Sequence, residues 1–194
     1  MTKMEMNVNE NNFKVIDNEV VYLHYCWNVF RNVYANEKNI DLLNRYDNQF
    51  FGIVQNIYWD SILLHISRLT DKEFNRSNRN LSLKTIYNDI ENELTNSKRN
   101  ELCSKLNKIN GLVKKARYHR SKRLAHKDLK SVFNDDNFKS NGISRNDIEA
   151  ILTLIREFMN IILLHNNKPE KFYNIFLKPI GGEVLIYNLE NISE

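Results

Sequence analysis

Glycine and proline are nearly missing from this sequence. Its 194 residues hold 5 Gly and 2 Pro, while Leu, Ile, Asn and Lys abound. So few chain breakers argue against a turn-rich all-β fold and for long uninterrupted helices. Cysteine is as scarce: Cys26 and Cys103 stand far apart with no CxxC or Cys/His spacing. Neither a disulfide framework nor a zinc site is expected, and no metal is assigned. A long hydrophobic run is absent too, because residues 148–164, the most apolar stretch, are interrupted by Glu149, Arg156, Glu157 and Asn160. That is too polar to span a bilayer. Residues 1–12 are polar, with no apolar run after Lys3, so no secretory signal is expected and a soluble cytoplasmic protein without membrane association is the reading. No Gly-rich phosphate loop, GxSxG, HExxH or nucleotidyltransferase-like acidic pair occurs, and no cofactor is expected. No internal repeat and no Pro/Gly/Ser linker divides the chain, which is read as one domain over residues 1–194.

What is present is helical periodicity, apolar residues recurring at steps of three and four. From Asp17, the residues Val20, Val21, Leu23, Tyr25, Trp27, Val29, Phe30, Val33 and Tyr34 predict a broadly apolar, central helix. Residues 36–47 either continue it or form a second piece. Phe50, Val54, Ile57, Ile62, Leu64, Ile66 and Leu69 predict a further long helix that contains Trp59 and Asp60 and ends near Asp71, with the polar run 72–80 as its loop. Ser82, three residues before Thr85, suits an N-cap for the helix carrying Leu83, Ile86, Tyr87, Ile90 and Leu94. A fourth helix from near Ser97 has Leu102, Leu106, Ile109, Val113 and Ala116 on one stripe. Residues 131–143 read as a loop, after which Ser144 and Asp147 open a last long helix burying Ile148, Ile151, Leu152, Ile155, Phe158, Met159, Ile162 and Leu163. Residues 172–177 predict a short helix, and 181–189 suit a strand as well as a helix. The fold class is therefore all-α, a bundle of four to six helices with its core over about residues 17–166 and a C-terminal extension at 167–194.

Basic charge is in excess in one window. Residues 105–130 carry Lys105, Lys108, Lys114, Lys115, Arg117, Arg120, Lys122, Arg123, Lys127 and Lys130 against Asp128 alone, about +9 where the whole chain is +4. Basicity so concentrated asks for an anionic partner. Continued by four, the stripe through Ala116 reaches Arg120 and then Leu124. Arg120 thus occupies an inward position, which is costly unless an anion, a carboxylate or an open cleft receives it. His126, close behind, is of the one side-chain type whose unperturbed pKa lies near neutrality. RNA cleavage without metal needs a base to take the proton of a 2′-hydroxyl and a cation to stabilise the phosphorane. One His and one Arg are a minimal kit for that, the guanidinium fork matching phosphate oxygens. On an unbroken helix six residues turn about 600°, leaving Arg120 and His126 about 120° apart. They converge only across a break, or with a second subunit. From the residues alone, catalysis, anion binding and a solvated face all stay open. His24, His65, His119 and His165 lack a matching carboxylate or Cys pattern and read as packing or surface residues.

The run VKKARYHRSKRLAHKD, from Val113 to Asp128, resembles the Arg-x(4–6)-His signature of HEPN domains. Its HRSKRLAHKD portion, preceded by WDSILLHISRLTDK at residues 59–72, is similar to the abortive-infection AbiU-type branch. The resemblance implies an all-helical, metal-independent endoribonuclease, a toxin or phage-defence protein that acts on RNA as a homodimer with two Arg/His motifs facing one cleft. It further implies Arg120 and His126 as the catalytic pair, and a possible antitoxin or defence-system partner. The surrounding Lys114, Lys115, Arg117, Lys122, Arg123 and Lys127 are the candidate RNA-binding residues, with Ser121 and Asp128 in supporting places. Ser121 stands where the family commonly has Asn, Asp or His. Asp128 stands where one toxin subtype has the Tyr that its antitoxin modifies, so that subtype is not implied. Other HEPN members are non-catalytic RNA binders or complex subunits, which is the alternative reading; a helical scaffold with an incidental patch is the third.

Overall fold

The computed structural model describes residues 3–119, 142–176 and 181–192, and among them the fold is an all-α bundle. Its helices are α1 (Lys3–Val33), α2 (Glu37–Leu69), α3 (Leu83–Ile90), α4 (Asn96–Leu112), α5 (Lys114–His119), α6 (Arg145–His165) and α7 (Gly181–Ile192). The polar run after α2 contains a two-residue hairpin, Phe74–Asn75 paired antiparallel with Asn78–Arg79. Its turn takes Arg76 to φ 57°. No described helix is long and apolar enough to cross a membrane.

The central helix extends beyond the apolar pattern that predicts it, back to Lys3. Val20, Leu23, Trp27, Phe30 and Val33 are buried along it, and Tyr34 just after it. Residues 36–47 are a separate piece from α1, entered through the N-cap Asn36, whose side chain accepts from the Asn39 N–H at 2.9 Å. That piece joins the next through a kink at Asp47 (φ −165°, ψ 97°), where the carboxylate accepts the Phe50 N–H at 2.9 Å and so caps the second half of α2. α1 and α2 run antiparallel: Trp59 of α2 meets Trp27 and Phe30 of α1, and His65 meets Tyr22. α6 closes the core with Ile148, Ile151, Leu152, Ile155, Phe158, Met159 and Ile162 fully buried. Each such side chain contributes about 1.5–3 kcal/mol of burial, which outweighs any local preference along the chain.

Both sequence-predicted N-caps are present. Ser82 accepts from the Thr85 N–H, and Ser144 forms a full capping box with Asp147. α6 ends where Asn167 turns left-handed (φ 53°), with Lys168 N–H on the Leu163 carbonyl and Asn167 N–H on that of Leu164, a Schellman arrangement. The short helix expected at 172–177 is instead a single turn over the described residues, Ile175 N–H to the Phe172 carbonyl, residue 177 lying outside them. Side chains hold this segment away from helix geometry. Asn160 clasps the Lys171 backbone at both N–H and carbonyl, while Asp17 accepts from Lys171 Nζ at 2.8 Å and Tyr173 Oη at 2.6 Å.

The ambiguous tail is a helix. α7 lies on α1, and a Cβ at Gly182 would meet the Val29 carbonyl oxygen at 2.9 Å and Val33 Cγ2 at 3.1 Å. Asn32 to Glu183 and Lys38 to Glu190 tie its polar side. Gly182→Ala should therefore lift α7 and destabilise the protein by about 1–3 kcal/mol. A Tm lower by roughly 2–12 °C in a thermal melt is the expected reading. Gly181→Ala, with nothing within 4 Å of its Cβ, should leave the Tm unchanged or higher.

Candidate nucleic-acid interface

The stripe leading to the motif is buried as its spacing predicts, Leu102, Leu106, Ile109, Val113 and Ala116 all facing the core. The helix that carries it breaks at Val113 (φ −75°, ψ −3°), two residues after Gly111. Two backbone hydrogen bonds flank the break, Val113 N–H to the Ile109 carbonyl and Arg117 N–H to that of Val113, both at 2.9 Å. α5 then packs on α4 and on α2. Its approach to α2 joins the two stretches that carried the family resemblance: an Arg117 Nη2 donates to the carbonyl of Thr70, 47 residues away in sequence at the end of α2. The same nitrogen reaches Asn110 Oδ1 at 3.2 Å. A cation on the last carbonyls of a helix satisfies orphan acceptors and complements the helix dipole. Arg117, a candidate RNA contact from the sequence, therefore also serves as a cap for α2.

Lys115 Nζ lies 3.7 Å from Asp147 Oδ2 at the start of α6. Hydrogen bonds from the Ser144 backbone and hydroxyl, and then the Lys115 charge, hold the Asp147 carboxyl below the usual carboxylate range. Lys114 is exposed. Arg120, Ser121, Lys122, Arg123, His126, Lys127 and Asp128 lie outside the described residues.

The sequence offered no partner for His65, and the fold provides one. Glu19 of α1 places Oε1 at 2.6 Å from His65 Nδ1 and at 3.8 Å from an Arg68 Nη1. This polar cluster sits in the last two turns of α2, next to Thr70. Its members are 46 and 49 positions from Glu19, so no local spacing could have shown it. His24 is a packing residue, stacked on Tyr173 at 6.0 Å between ring centroids, and burial pushes its imidazole down to about 4, with the Arg156 charge adding to the effect.

Residues 10–174 match the family model for AbiU2, a HEPN domain. The chain belongs to the AbiU2 family of HEPN domains. No curated protein and no solved structure gives a significant match. The AbiU2 match begins within α1, ends in the turn after α6 and leaves out α7. It is wider than the stretch of about residues 17–166 over which the resemblance was expected to run, and it takes in the end of α2, the α4–α5 break and both Arg120 and His126.

Proposed function

We propose that this AbiU2 protein is a metal-independent endoribonuclease of abortive infection, with Arg120 and His126 as its catalytic pair. The observation that carries the reading is the family match across a chain whose Arg-x(5)-His spacing follows a helix break and a basic α5 docked on α2. His126 accepts the proton of the 2′-hydroxyl as that oxygen attacks the adjacent phosphorus. Arg120 holds the phosphorane oxygens in its guanidinium fork, the P–O5′ bond breaks to leave a 2′,3′-cyclic phosphate, and the 5′-oxygen takes up a proton. One His and one Arg per chain make a sparse site. A homodimer with two motifs facing one cleft lets His126 of the partner subunit supply that last proton. The decisive experiment incubates the purified protein with labelled RNA in EDTA. Cleavage with cyclic-phosphate ends supports the reading; cutting only when Mg²⁺ is added overturns it; tight, salt-sensitive binding without cutting assigns the protein to the RNA-binding subunits of the alternative reading.

Binding itself should sort the basic residues by their partners in the fold. Lys114, exposed, should on substitution by Ala weaken RNA binding and reduce the slope of log K against log salt by about 0.7. Lys115→Ala should change it less, because Asp147 already offsets part of that charge. Filter binding between 50 and 200 mM salt measures both.

A further inference from the structure

We infer that a second copy of this chain docks along the outer side of α2, the two helices side by side and running in the same direction. Phe50, Ile57 and Leu64 recur every seven residues with Ile53 between them, and they are 56%, 61%, 40% and 60% exposed. At 100° per residue the four fall within about 60° of arc, a line about 21 Å long. The inner side of the same helix, with Ile62, Ile66 and Leu69, is already buried in the core. Four large apolar groups aligned on the solvent side are a patch, not scatter.

The composition of the stripe selects its occupant. Between Asp47 and Arg68 the only carboxylate is Asp60, half-buried, and there is no Lys or Arg. A nucleic acid or a charged peptide finds no counter-charge there, whereas the centres of protein interfaces are depleted of charge in this way. A seven-residue apolar repeat is also the spacing at which a helix meets its own copy in register. The exposed fractions, taken on side chains of about 150–250 Å² each, amount to roughly 400 Å² per chain. Homodimer interfaces are about 65% apolar, so this core implies roughly 600 Å² per partner and 1,200 Å² in all, the lower bound of stable interfaces.

The direction of pairing rests on the shared cleft proposed above. α5 is bound at Thr70, the C-terminal end of α2. An antiparallel pair centred on Ile57 would hold the two Thr70 residues about 40 Å apart, and a parallel pair brings them to one end. Both Arg68 side chains, 59% exposed, then also stand at that end, where a polyanion relieves their repulsion.

The test uses the full chain without RNA, so a failed dimer and a failed nuclease remain separate results. Phe50→Cys, Ile57→Cys and Leu64→Cys should each form a disulfide-linked dimer under mild oxidation, faster than Phe74→Cys, which is exposed but off the stripe. Wild type, with Cys26 buried and Cys103 half-buried, gives the background. Ile57→Glu should sediment as a monomer with its helical circular dichroism unchanged, where wild type sediments as a dimer at micromolar concentration. A monomeric wild type, a dimeric Ile57→Glu protein, or stripe cysteines linking no faster than Phe74→Cys would overturn the proposal. So would Phe50→Cys and Leu64→Cys linking only to each other in a mixture, the mark of an antiparallel pair.

Discussion

His126→Ala should bind RNA as tightly as the wild-type protein and cut it about 10²- to 10⁴-fold more slowly, the usual contribution of a positioned general base. A neutral imidazole adds little to the attraction for phosphate, so removing it separates turnover from affinity, which charge alone cannot do because an enzyme and an RNA-binding subunit share the basic patch. Arg120→Lys keeps the charge and loses the planar fork, so it too should bind and cut poorly. Single-turnover cleavage of a labelled RNA, run beside a binding titration at the same salt, measures both quantities. Equal cleavage by the His126→Ala protein would remove His126 from the chemistry. A parallel loss of affinity would instead mark it as an RNA contact.

How much of this could be read from the sequence differs between the fold and the site. The stripe from Leu102 to Ala116 and the buried face of α6 were legible because a helix repeats its contacts every three or four residues and both helices pack on one side only. Ser82 and Ser144 were legible for a related reason, a cap being a contact within four residues. α2 was harder to read, since it is apolar on two sides. Phe50, Ile57 and Leu64 belong to the same periodic pattern as Ile62, Ile66 and Leu69, yet the first set faces solvent and the second the core. Periodicity gives the faces of a helix without saying which one a neighbour covers. The tail at 181–189 is ambiguous in sequence because Val184, Ile186 and Tyr187 have β-favouring side chains. Packing against α1, close at Gly182, overrides that preference.

The site was legible as a spacing and not as a set of contacts. The Arg120/His126 interval and the charge of residues 105–130 are local features, and the family match includes both. The partners of Arg117, His65 and Lys115 are not local: Thr70, Glu19 and Asp147 lie on other helices. By charge alone Arg117 belongs with the candidate RNA-binding cations, while the fold also makes it a cap for α2. A basic residue held by a helix end cannot move freely to a phosphate, so the fold divides by mobility a patch that looked uniform in charge.

Lowering the pH from 7 to 4 should cost this protein about 3 kcal/mol of stability through His24 alone. The imidazole is 3% exposed, and its Nε2 finds no hydrogen-bond partner among the described residues. Burial lowers its pKa from 6.5 to about 4, the Arg156 charge adding to the shift. The sign follows from the two states. Unfolded chains bind the proton below about pH 6.5, whereas the folded protein resists it down to about 4, so the contribution is fully present above 6.5 and is lost as the pH falls through that window. Urea unfolding of wild type and His24→Gln at pH 7, 6, 5 and 4 isolates the effect, because the glutamine does not titrate. Carboxylates such as Asp147, which also lose stabilising ionisation in acid, are common to both proteins and cancel in the difference. The stability of wild type relative to His24→Gln should fall by about 3 kcal/mol across the series, whatever the absolute cost of the substitution at pH 7. A difference that stays constant with pH would mean that His24 titrates alike in the folded and unfolded chains, and so that its pocket between α1, Tyr173 and Arg156 is open to water.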